Sequence, residues 1–243
     1  MRAIVLAAGT ASRLKPTIGN KPKCLTALDG DTILDYQVKG LLRCAIEQIL
    51  VVIGYQKDLI AHYISQRSYC HYIKIVSNEL FSQTDNAYSL ALALQLVDTE
   101  RDAVLILDGD ILFEYALLHK LAFSTYENVL VADNTKRMQA EDCKLLIEDG
   151  YVKHIGKAIN GNAVYTSMIK LHGGFLEQFK KELGKPRGRR EWYSEPLDRV
   201  LREHPKALKV TYTDGALRCE IDTPSDLYLG REIYRVLTGN QHV

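Results

Sequence analysis

The sequence carries almost no surplus of charge of either sign. Its 243 residues include 31 Lys and Arg against 30 Asp and Glu, so the formal net charge is +1 with His neutral. Proteins that bind nucleic acids or anionic membranes usually concentrate basic residues on one face or in one segment. The balance argues against a basic surface, though not against a basic pocket, and we expect neither a nucleic acid nor a membrane as partner.

Long hydrophobic runs and paired cysteines are also missing. The apolar run at residues 3–9 has seven residues, and no later stretch approaches the ~18 that a membrane span needs. The five Cys are scattered without a CxxC pair, which favours reduced thiols over a disulfide framework or a zinc site. We therefore expect no signal peptide and a cytoplasmic location.

Short β-rich runs alternate with segments of helical periodicity in the first half of the chain. Such alternation implies right-handed crossovers and a mainly parallel sheet that is covered on both faces. The predicted strands cover residues 3–6, 48–53, 72–76, 103–107 and 128–131, and the predicted helices cover residues 34–44, 59–66, 86–96 and 115–124.

From about residue 142 the rhythm changes, because strand patterns follow one another without intervening helices. The breaker-rich stretch 185–190 indicates a surface loop. The strands predicted here cover residues 144–147, 152–155 and 163–171, and the helices about 173–183, 194–203 and 224–237. The sequence thus predicts an α/β, Rossmann-like fold with a mainly parallel, mixed central sheet flanked by helices.

The first candidate motif, LAAGTASRL at residues 6–14, follows the first predicted strand. Its small residues would let backbone N–H groups approach a phosphate closely, and Gly9 can adopt a conformation that aims them inward. Arg13, Lys21 and Lys23 add fixed positive charge. The pattern matches neither GxGxxG nor GxxxxGK[ST], so it indicates either another type of phosphate cradle or an ordinary turn.

Two further motifs place pairs of carboxylates at strand ends. Asp108 and Asp110 close the run VLILDGD, and Glu220 and Asp222 lie within CEIDTPSD ahead of a predicted helix. Because side chains alternate along a strand, each pair should emerge on one side, near the edge where ligands sit in open α/β sheets. Oxygen ligands suit a hard cation such as Mg²⁺. For Asp108 and Asp110 the alternative is a turn acid followed by a helix N-cap.

Together the three motifs resemble the signatures of the sugar-phosphate nucleotidyltransferases. The loop and the following Lys-Pro-Lys resemble the family's LAAGxGxRL…KPK pattern, residues 107–110 its metal-binding strand end, and residues 220–223 its second acidic segment. The resemblance spans residues 3–226. The chain departs from the family at Ala11, where a second glycine is usual, and at Asp108, which is an extra acid.

The resemblance implies a role for each motif residue. Arg13 and Lys23 would hold the triphosphate and stabilise the transition state, and Asp110 and Asp222 would ligate Mg²⁺. Lys157, in Ile-Gly-Lys, matches the position where relatives contact the acceptor's phosphate. The residues assigned to the nucleotide are Ala8, Gly9, Asn86, Ser89 and Asp108.

Within the family, QTDNAYSL at residues 83–90 resembles the Asn-x-x-Ser-Leu segment of choline-phosphate and related cytidylyltransferases. It differs from the Pro-x-Gly-x-Ala segment of uridylyl- and thymidylyltransferases. Asn86 and Ser89, at a helix start, could hydrogen-bond the nucleotide, and a plain helix N-terminus is the alternative. We therefore expect CTP as the donor.

Trp192 and Tyr193 stand between Glu191 and Glu195 in the sequence. Aromatic faces ringed by acids would bind an amine or a quaternary ammonium through cation–π attraction, and core packing is the alternative. With Lys157 for the phosphate, this group predicts a small zwitterionic phospho-alcohol or phosphonate as the acceptor.

The predicted function is Mg²⁺-dependent transfer of CMP from CTP to a small phosphorylated or phosphonate acceptor, with release of pyrophosphate. We treat residues 1–243 as a single domain, with a nucleotide-binding part to about residue 132 and an acceptor-binding part over 133–243. Two alternatives stay open: a sugar-1-phosphate uridylyl- or thymidylyltransferase, and a non-catalytic, nucleotide-sensing relative. The identity of the acceptor and assembly into a homo-oligomer are left open by the sequence.

Overall fold

The computed structural model describes residues 1–185 and 190–239, so residues 186–189 of the predicted surface loop lie outside the described residues. The strands are β1 (Arg2–Ala7), β2 (Ala27–Leu28), β3 (Asp31–Thr32), β4 (Gln48–Ile53), β5 (Ile73–Ser77), β6 (Val104–Asp108), β7 (Ile111–Phe113), β8 (Val129–Asp133), β9 (Lys144–Glu148), β10 (Tyr151–Gly156), β11 (Ala163–Leu171), β12 (Lys209–Tyr212) and β13 (Arg218–Glu220). The helices are α1 (Lys15–Ile18), α2 (Ile33–Arg43), α3 (Lys57–Ser65), α4 (Asn86–Leu94), α5 (Tyr115–Ala122), α6 (Gly173–Leu183), α7 (Ser194–Glu203) and α8 (Pro224–Gly239).

A nine-stranded sheet, in the order β5-β4-β1-β6-β11-β8-β12-β10-β9, runs through the described residues. The strands β5, β4, β1 and β6 pair in parallel, as do β8 and β12. In contrast, β11 pairs antiparallel with both β6 and β8. The predicted α/β fold with a mixed sheet is confirmed, and the parallel region coincides with the strand–helix alternation in the sequence.

The two faces of the sheet build two separate cores. In β1 the residues from Ala3 to Ala7 are all buried, as expected for a strand covered on both faces. Ile4 and Leu6 pack with α4, α6 and α7 on one face, while Val5 packs with α2, α3 and α5 on the other. Because β1 and β6 run in parallel, their carboxyl ends lie at the same edge of the sheet.

The sequence patterns missed one small element that matters for the site. The three-residue strands β7 and β13 pair antiparallel, with Ile111 opposite Glu220. Leu112 and Ile221 anchor this pair in a third apolar cluster, under Leu227 and Tyr234 of α8. Strands this short carry too few residues for a visible alternation.

No helix in the described part of the chain combines the length and the apolar character needed to cross a membrane.

Candidate functional site

Two adjoining clefts, with volumes of about 540 and 570 Å³, open at the carboxyl ends of β1 and β6. The first lies between the loop after β1 and the start of α4, and the second lies over β11 and the segments after β8 and β10. This edge of an open α/β sheet is where ligands commonly bind. The residues that line both clefts are Arg13, Asn86, Asp108, Trp192, Glu220 and Asp222.

Three carboxylates meet where the clefts join. Asp110, Glu220 and Asp222 each offer an oxygen, and these atoms lie within 4.8 Å of one another. The β7–β13 pair brings them together, because the Ile221 amide donates to the Asp110 carbonyl at 2.9 Å. The sequence had predicted Asp110 and Asp222 as metal ligands, and the structure adds Glu220 to the cluster.

Two basic side chains form ion pairs with two of these carboxylates, Asp110 and Asp222. Lys23 Nζ lies 2.9 Å from Asp110 Oδ2 and 2.5 Å from Asp222 Oδ1, and Arg13 Nη2 lies 2.7 Å from Asp222 Oδ2. Burial lowers the pKa of Lys23, but the charges of Asp110 and Asp222 outweigh it and hold the pKa above its usual value. Burial likewise raises the pKa of Asp222, and Lys23 and Arg13 bring it below its usual value. Lys21 lines neither cleft.

The acids also fit a divalent cation. Asp110 Oδ1 is buried and has no hydrogen-bond partner among the described residues. Desolvation in the cleft, and then the charges of Asp110 and Asp222, raise the pKa of Glu220 to about 7. Mutually repelling carboxylates with an unpartnered oxygen form a donor set that suits Mg²⁺.

The loop after β1 presents unused backbone donors to the first cleft. Within the described residues, the amides of Gly9, Thr10 and Ser12 donate no hydrogen bond. Ala11 has φ of 52°, which explains why glycine is usual at this position. Gly9 has no such φ. Nothing lies within 4 Å of the site of a Cβ at Gly9, which leaves room for a ligand against the backbone.

Gly109 is required by a close approach between strands. Its amide donates to the Leu6 carbonyl at 2.8 Å, and a Cβ at this position would lie 2.6 Å from the same oxygen. Such a contact cannot be accommodated without a backbone shift. The glycine between Asp108 and Asp110 therefore allows the end of β6 to bend against β1 and turn Asp110 toward the cluster.

Asn86 and Ser89 lie in the first cleft, as the sequence suggested, and both already have protein partners. Asn86 Oδ1 accepts from the Tyr193 amide at 2.9 Å, and Ser89 Oγ accepts from Asn78 Nδ2 at 3.0 Å. Asn86 begins α4, so the helix-start interpretation also holds. Its Nδ2 group has no hydrogen-bond partner among the described residues, and Asn86 lines both clefts.

The predicted aromatic and acidic cage is not assembled. Tyr193 is 3% exposed and its hydroxyl lies 3.1 Å from that of Tyr165, so it packs in the core at the floor of the second cleft. Glu191 forms an ion pair with Arg199 at 2.6 Å, and Glu195 lines neither cleft.

The ring of Trp192 instead contacts a cationic side chain of the protein itself. Its side chain is 45% exposed, and Lys157 Nζ lies 4.4 Å from the centroid of its ring. The two residues stand together in the wall of the second cleft. The pair lacked a sequence signal, because Lys157 and Trp192 lie on separate segments of the chain.

Asp108 lines both clefts rather than the first alone. Its Oδ1 atom is buried without a hydrogen-bond partner among the described residues. Burial first, and then the charge of Asp110, raise the pKa of Asp108 well above its usual value, while a hydrogen bond with Ser167 lowers it.

Comparison with known proteins agrees with this geometry. Residues 3–200 match the model of the MobA-like NTP transferase domain. A CTP:phosphoglutamine cytidylyltransferase of Campylobacter jejuni is 28% identical over 252 aligned positions, which cover 93% of this chain and 98% of that protein. A choline-phosphate cytidylyltransferase of Streptococcus pneumoniae is 32% identical over 136 positions, 56% of each chain. Sugar-1-phosphate transferases are more distant relatives.

A solved structure shares the fold over almost the whole chain. The inositol-1-phosphate CTP transferase from T. maritima superposes with a TM-score of 0.77 at 23% identity, and the match covers 96% of both chains.

Proposed function

We propose that this protein transfers CMP from CTP to a small phosphorylated or phosphonate acceptor and releases pyrophosphate. The chain belongs to the family of MobA-like NTP transferase domains, which supports a transfer of this kind. The observation that carries the proposal is the meeting of two clefts at one set of charged side chains, among them Arg13, Glu220 and Asp222. A transferase that joins two substrates needs two such sites with a common wall. Two proteins that match more than nine-tenths of this chain, the cytidylyltransferase of Campylobacter jejuni and the CTP transferase of T. maritima, are themselves named as CTP-dependent enzymes.

In this proposal the first cleft binds CTP. The unused amides of Gly9, Thr10 and Ser12 supply N–H donors for the phosphates, and Ala8 lines the same cleft. The base would lie toward α4, where Asn86, whose Nδ2 donors have no protein partner among the described residues, lines the cleft beside Ser89. Cytosine presents acceptors at O2 and N3, whereas uracil presents a donor at N3, so donors at this point favour CTP.

Asp110, Asp222 and Glu220 together would hold Mg²⁺. When bound there, the ion would neutralise negative charge on the phosphates. Lys23 and Arg13 already contact these carboxylates at 2.5 to 2.9 Å, so their positive charges lie where the triphosphate would approach. They would stabilise the charge that develops as the bond to pyrophosphate breaks.

The protein needs to supply no general base. The second pKa of a phosphomonoester is about 6, so the acceptor is already mostly dianionic near neutral pH. Its oxygen attacks the α-phosphorus in line, the α–β bridging bond breaks, and pyrophosphate leaves from the opposite side. Lys157 would hold the acceptor's phosphate in the second cleft, where its position is set by the Trp192 ring.

The test is a matrix of nucleotides and acceptors in Mg²⁺, read as pyrophosphate release. CTP, UTP, dTTP and GTP are combined with phosphoethanolamine, phosphocholine, 2-aminoethylphosphonate, inositol 1-phosphate and glucose 1-phosphate. A preparation of the Lys23→Ala variant controls for contaminating activity. We expect turnover with CTP.

Two outcomes would contradict the proposal. Faster turnover of UTP or dTTP with glucose 1-phosphate would indicate a sugar-1-phosphate transferase. Calorimetric binding of a nucleotide with no pyrophosphate released from any pair would indicate a nucleotide-sensing protein.

A further inference from the structure

The ammonium of Lys23 lies against the same carboxylates that would hold a divalent cation. Its Nζ atom is 2.5 Å from Asp222 Oδ1 and 2.9 Å from Asp110 Oδ2. An Mg²⁺ ion binds carboxylate oxygens at about 2.0–2.1 Å. An ion bound to either of these oxygens would therefore lie no more than about 5 Å from Nζ, where two positive charges repel each other in a partly buried site.

The second cation of the cluster, Arg13, is placed differently. Its guanidinium contacts a single acid, Asp222, at 2.7 Å, whereas Lys23 bridges two. The side chain of Arg13 is 63% exposed and that of Lys23 is 16% exposed. Because exposed charges are screened by water and salt, Lys23 competes with a metal for these oxygens more directly than Arg13 does.

The backbone at Lys23 is fixed, while its side chain can rotate. The Thr26 amide donates to the Lys23 carbonyl at 2.9 Å. The neighbouring Cys24 is buried and packs in the same core as Val5. The stem of lysine has four carbons and rotates about several bonds. Release of the ammonium from the acids thus requires rotation of one side chain and no movement of the main chain.

A nucleotide supplies another partner for this ammonium. Lys23 lines the first cleft together with the loop residues Gly9 and Thr10, so phosphates bound by the loop would lie in the same cleft as Nζ. Once the ammonium turns to a phosphate, oxygens of Asp110 and Asp222 are free for an ion. Mg²⁺ commonly completes its coordination with water and phosphate oxygens, so each charge then has a partner.

We propose that Lys23 is a built-in counter-ion of the metal site, so that a divalent cation enters together with the nucleotide and binds only weakly without it. The inference rests on the proposed function for its nucleotide and its metal, and it gives Lys23 a role before the chemical step. By linkage, the metal favours nucleotide binding by the same factor as the nucleotide favours metal binding.

The first measurement is calorimetry on the wild-type protein, with Mn²⁺ as the probe in place of Mg²⁺. The readout is binding, with no acceptor present. Preformed Mn·CTP is expected to bind at least about tenfold more tightly than Mn²⁺ alone. Binding of Mn²⁺ alone as tight as that of Mn·CTP would overturn the proposal.

The second measurement removes the competing charge. Lys23→Met keeps an unbranched side chain without the ammonium. We expect it to bind Mn²⁺ alone about tenfold or more tightly than wild type does, because wild type binds the ion only in the fraction of molecules in which Lys23 has left the acids. Its affinity for Mn·CTP should change by less than about threefold, because the lost contact with the phosphates offsets the freed carboxylates.

Two controls separate competition at the acids from a general effect of charge. Lys21→Met removes an exposed lysine that lines neither cleft, and its affinity for Mn²⁺ should stay within about twofold of wild type. Arg13→Met removes a cation that contacts one acid, and it should gain less affinity than Lys23→Met. An equal gain in Arg13→Met and Lys23→Met would indicate a general field effect and overturn the proposal.

The remaining outcomes distinguish the inference from the proposed function. Unchanged or weaker binding of Mn²⁺ by a folded Lys23→Met protein would overturn the inference alone. If near-UV circular dichroism shows that Lys23→Met does not fold, Lys23→Gln and the wild-type comparison decide. Absence of Mn²⁺ binding from every variant, with and without CTP, would contradict the metal assignment itself. Absence of pyrophosphate release from every CTP–acceptor pair would contradict the proposed transfer and leave the binding results standing.

Discussion

Lys23 Nζ lies 2.5 Å from Asp222 Oδ1, a contact between residues 199 positions apart in the chain. The same ammonium reaches Asp110 at 2.9 Å. Its side chain is 16% exposed and those of the two acids are 20% and 23% exposed. The ion pairs therefore lie partly shielded from water, where electrostatic effects on a phosphate would be stronger than at the open surface.

The acids are expected to be needed for turnover more than for folding. Asp110→Asn or Asp222→Asn should lower kcat by on the order of 10²-fold or more, because each removes a charged ligand for Mg²⁺. Turnover is measured across a Mg²⁺ titration, with and without chelator, and the exposed Asp214→Asn serves as the control. A well-folded Asp222→Asn enzyme with wild-type rates would contradict the metal assignment.

Lys23 should act mainly on the transition state. Lys23→Ala is expected to reduce kcat far more than it raises KM for CTP, because the charge it neutralises grows as pyrophosphate leaves. Lys21→Ala removes a neighbouring exposed lysine that lines neither cleft and should leave both constants unchanged. A large rise in KM at constant kcat would make Lys23 a ground-state binder.

Trp192 should contribute to the binding of every phosphorylated acceptor, because its ring positions Lys157. A cation–π contact at an exposed site is worth about 0.5–1 kcal/mol, so Trp192→Ala should raise acceptor KM by roughly two- to fivefold for amine-bearing and neutral acceptors alike. Trp192→Phe retains a ring and is the comparison. Selective loss with amine acceptors would instead support the cage suggested by the sequence.

Gly109 should tolerate no side chain. In Gly109→Ala the Cβ meets the Leu6 carbonyl at 2.6 Å, so we expect destabilisation of about 1–3 kcal/mol together with lower turnover, because Asp110 moves with the backbone. Urea unfolding and kcat are measured on the same preparation. Gly174→Ala is the control, since no atom lies within 4 Å of its Cβ site. Equal stability of the two variants would show that β6 adjusts without strain.

Asp35 is expected to stabilise the fold in a pH-dependent way. Its carboxylate accepts hydrogen bonds from Tyr63, Tyr69 and Thr32. Burial raises its pKa, but these bonds outweigh burial and hold the pKa below its usual value of 3.8. The contribution is therefore complete above the unfolded-state pKa and is lost as the pH falls through the lower, folded-state pKa.

The measurement compares Asp35→Asn with wild type by urea unfolding. The variant should lose about 1.5–3 kcal/mol at pH 7, because bonds to a charged group are removed. The gap should shrink as the pH falls below 3.8. A gap that stays constant on acidification would show that the charge of Asp35 does not contribute.

The short strands and the buried side chains were beyond what local patterns could predict. The β7–β13 pair, which adds Glu220 to the acids, has three residues in each strand. Tyr193 and Trp192 are neighbours in sequence, yet one is buried and the other is 45% exposed. The cytoplasmic location, the homo-oligomer and the division of the chain near residue 132 stay predictions.

The sequence by itself determined the alternation of strands and helices, the position of Asp110 at a strand end, and the positions of Arg13 and Lys23 in the segment that follows the first strand. It could do so because hydrophobic period and turn composition are local properties, and because strand ends of a parallel sheet meet at one edge. Only the tertiary structure decided which charges are paired. It brought Lys157 to Trp192, and it gave Asp108 no ion pair with a Lys or Arg among the described residues. Those outcomes depend on packing between distant segments, which no local pattern records.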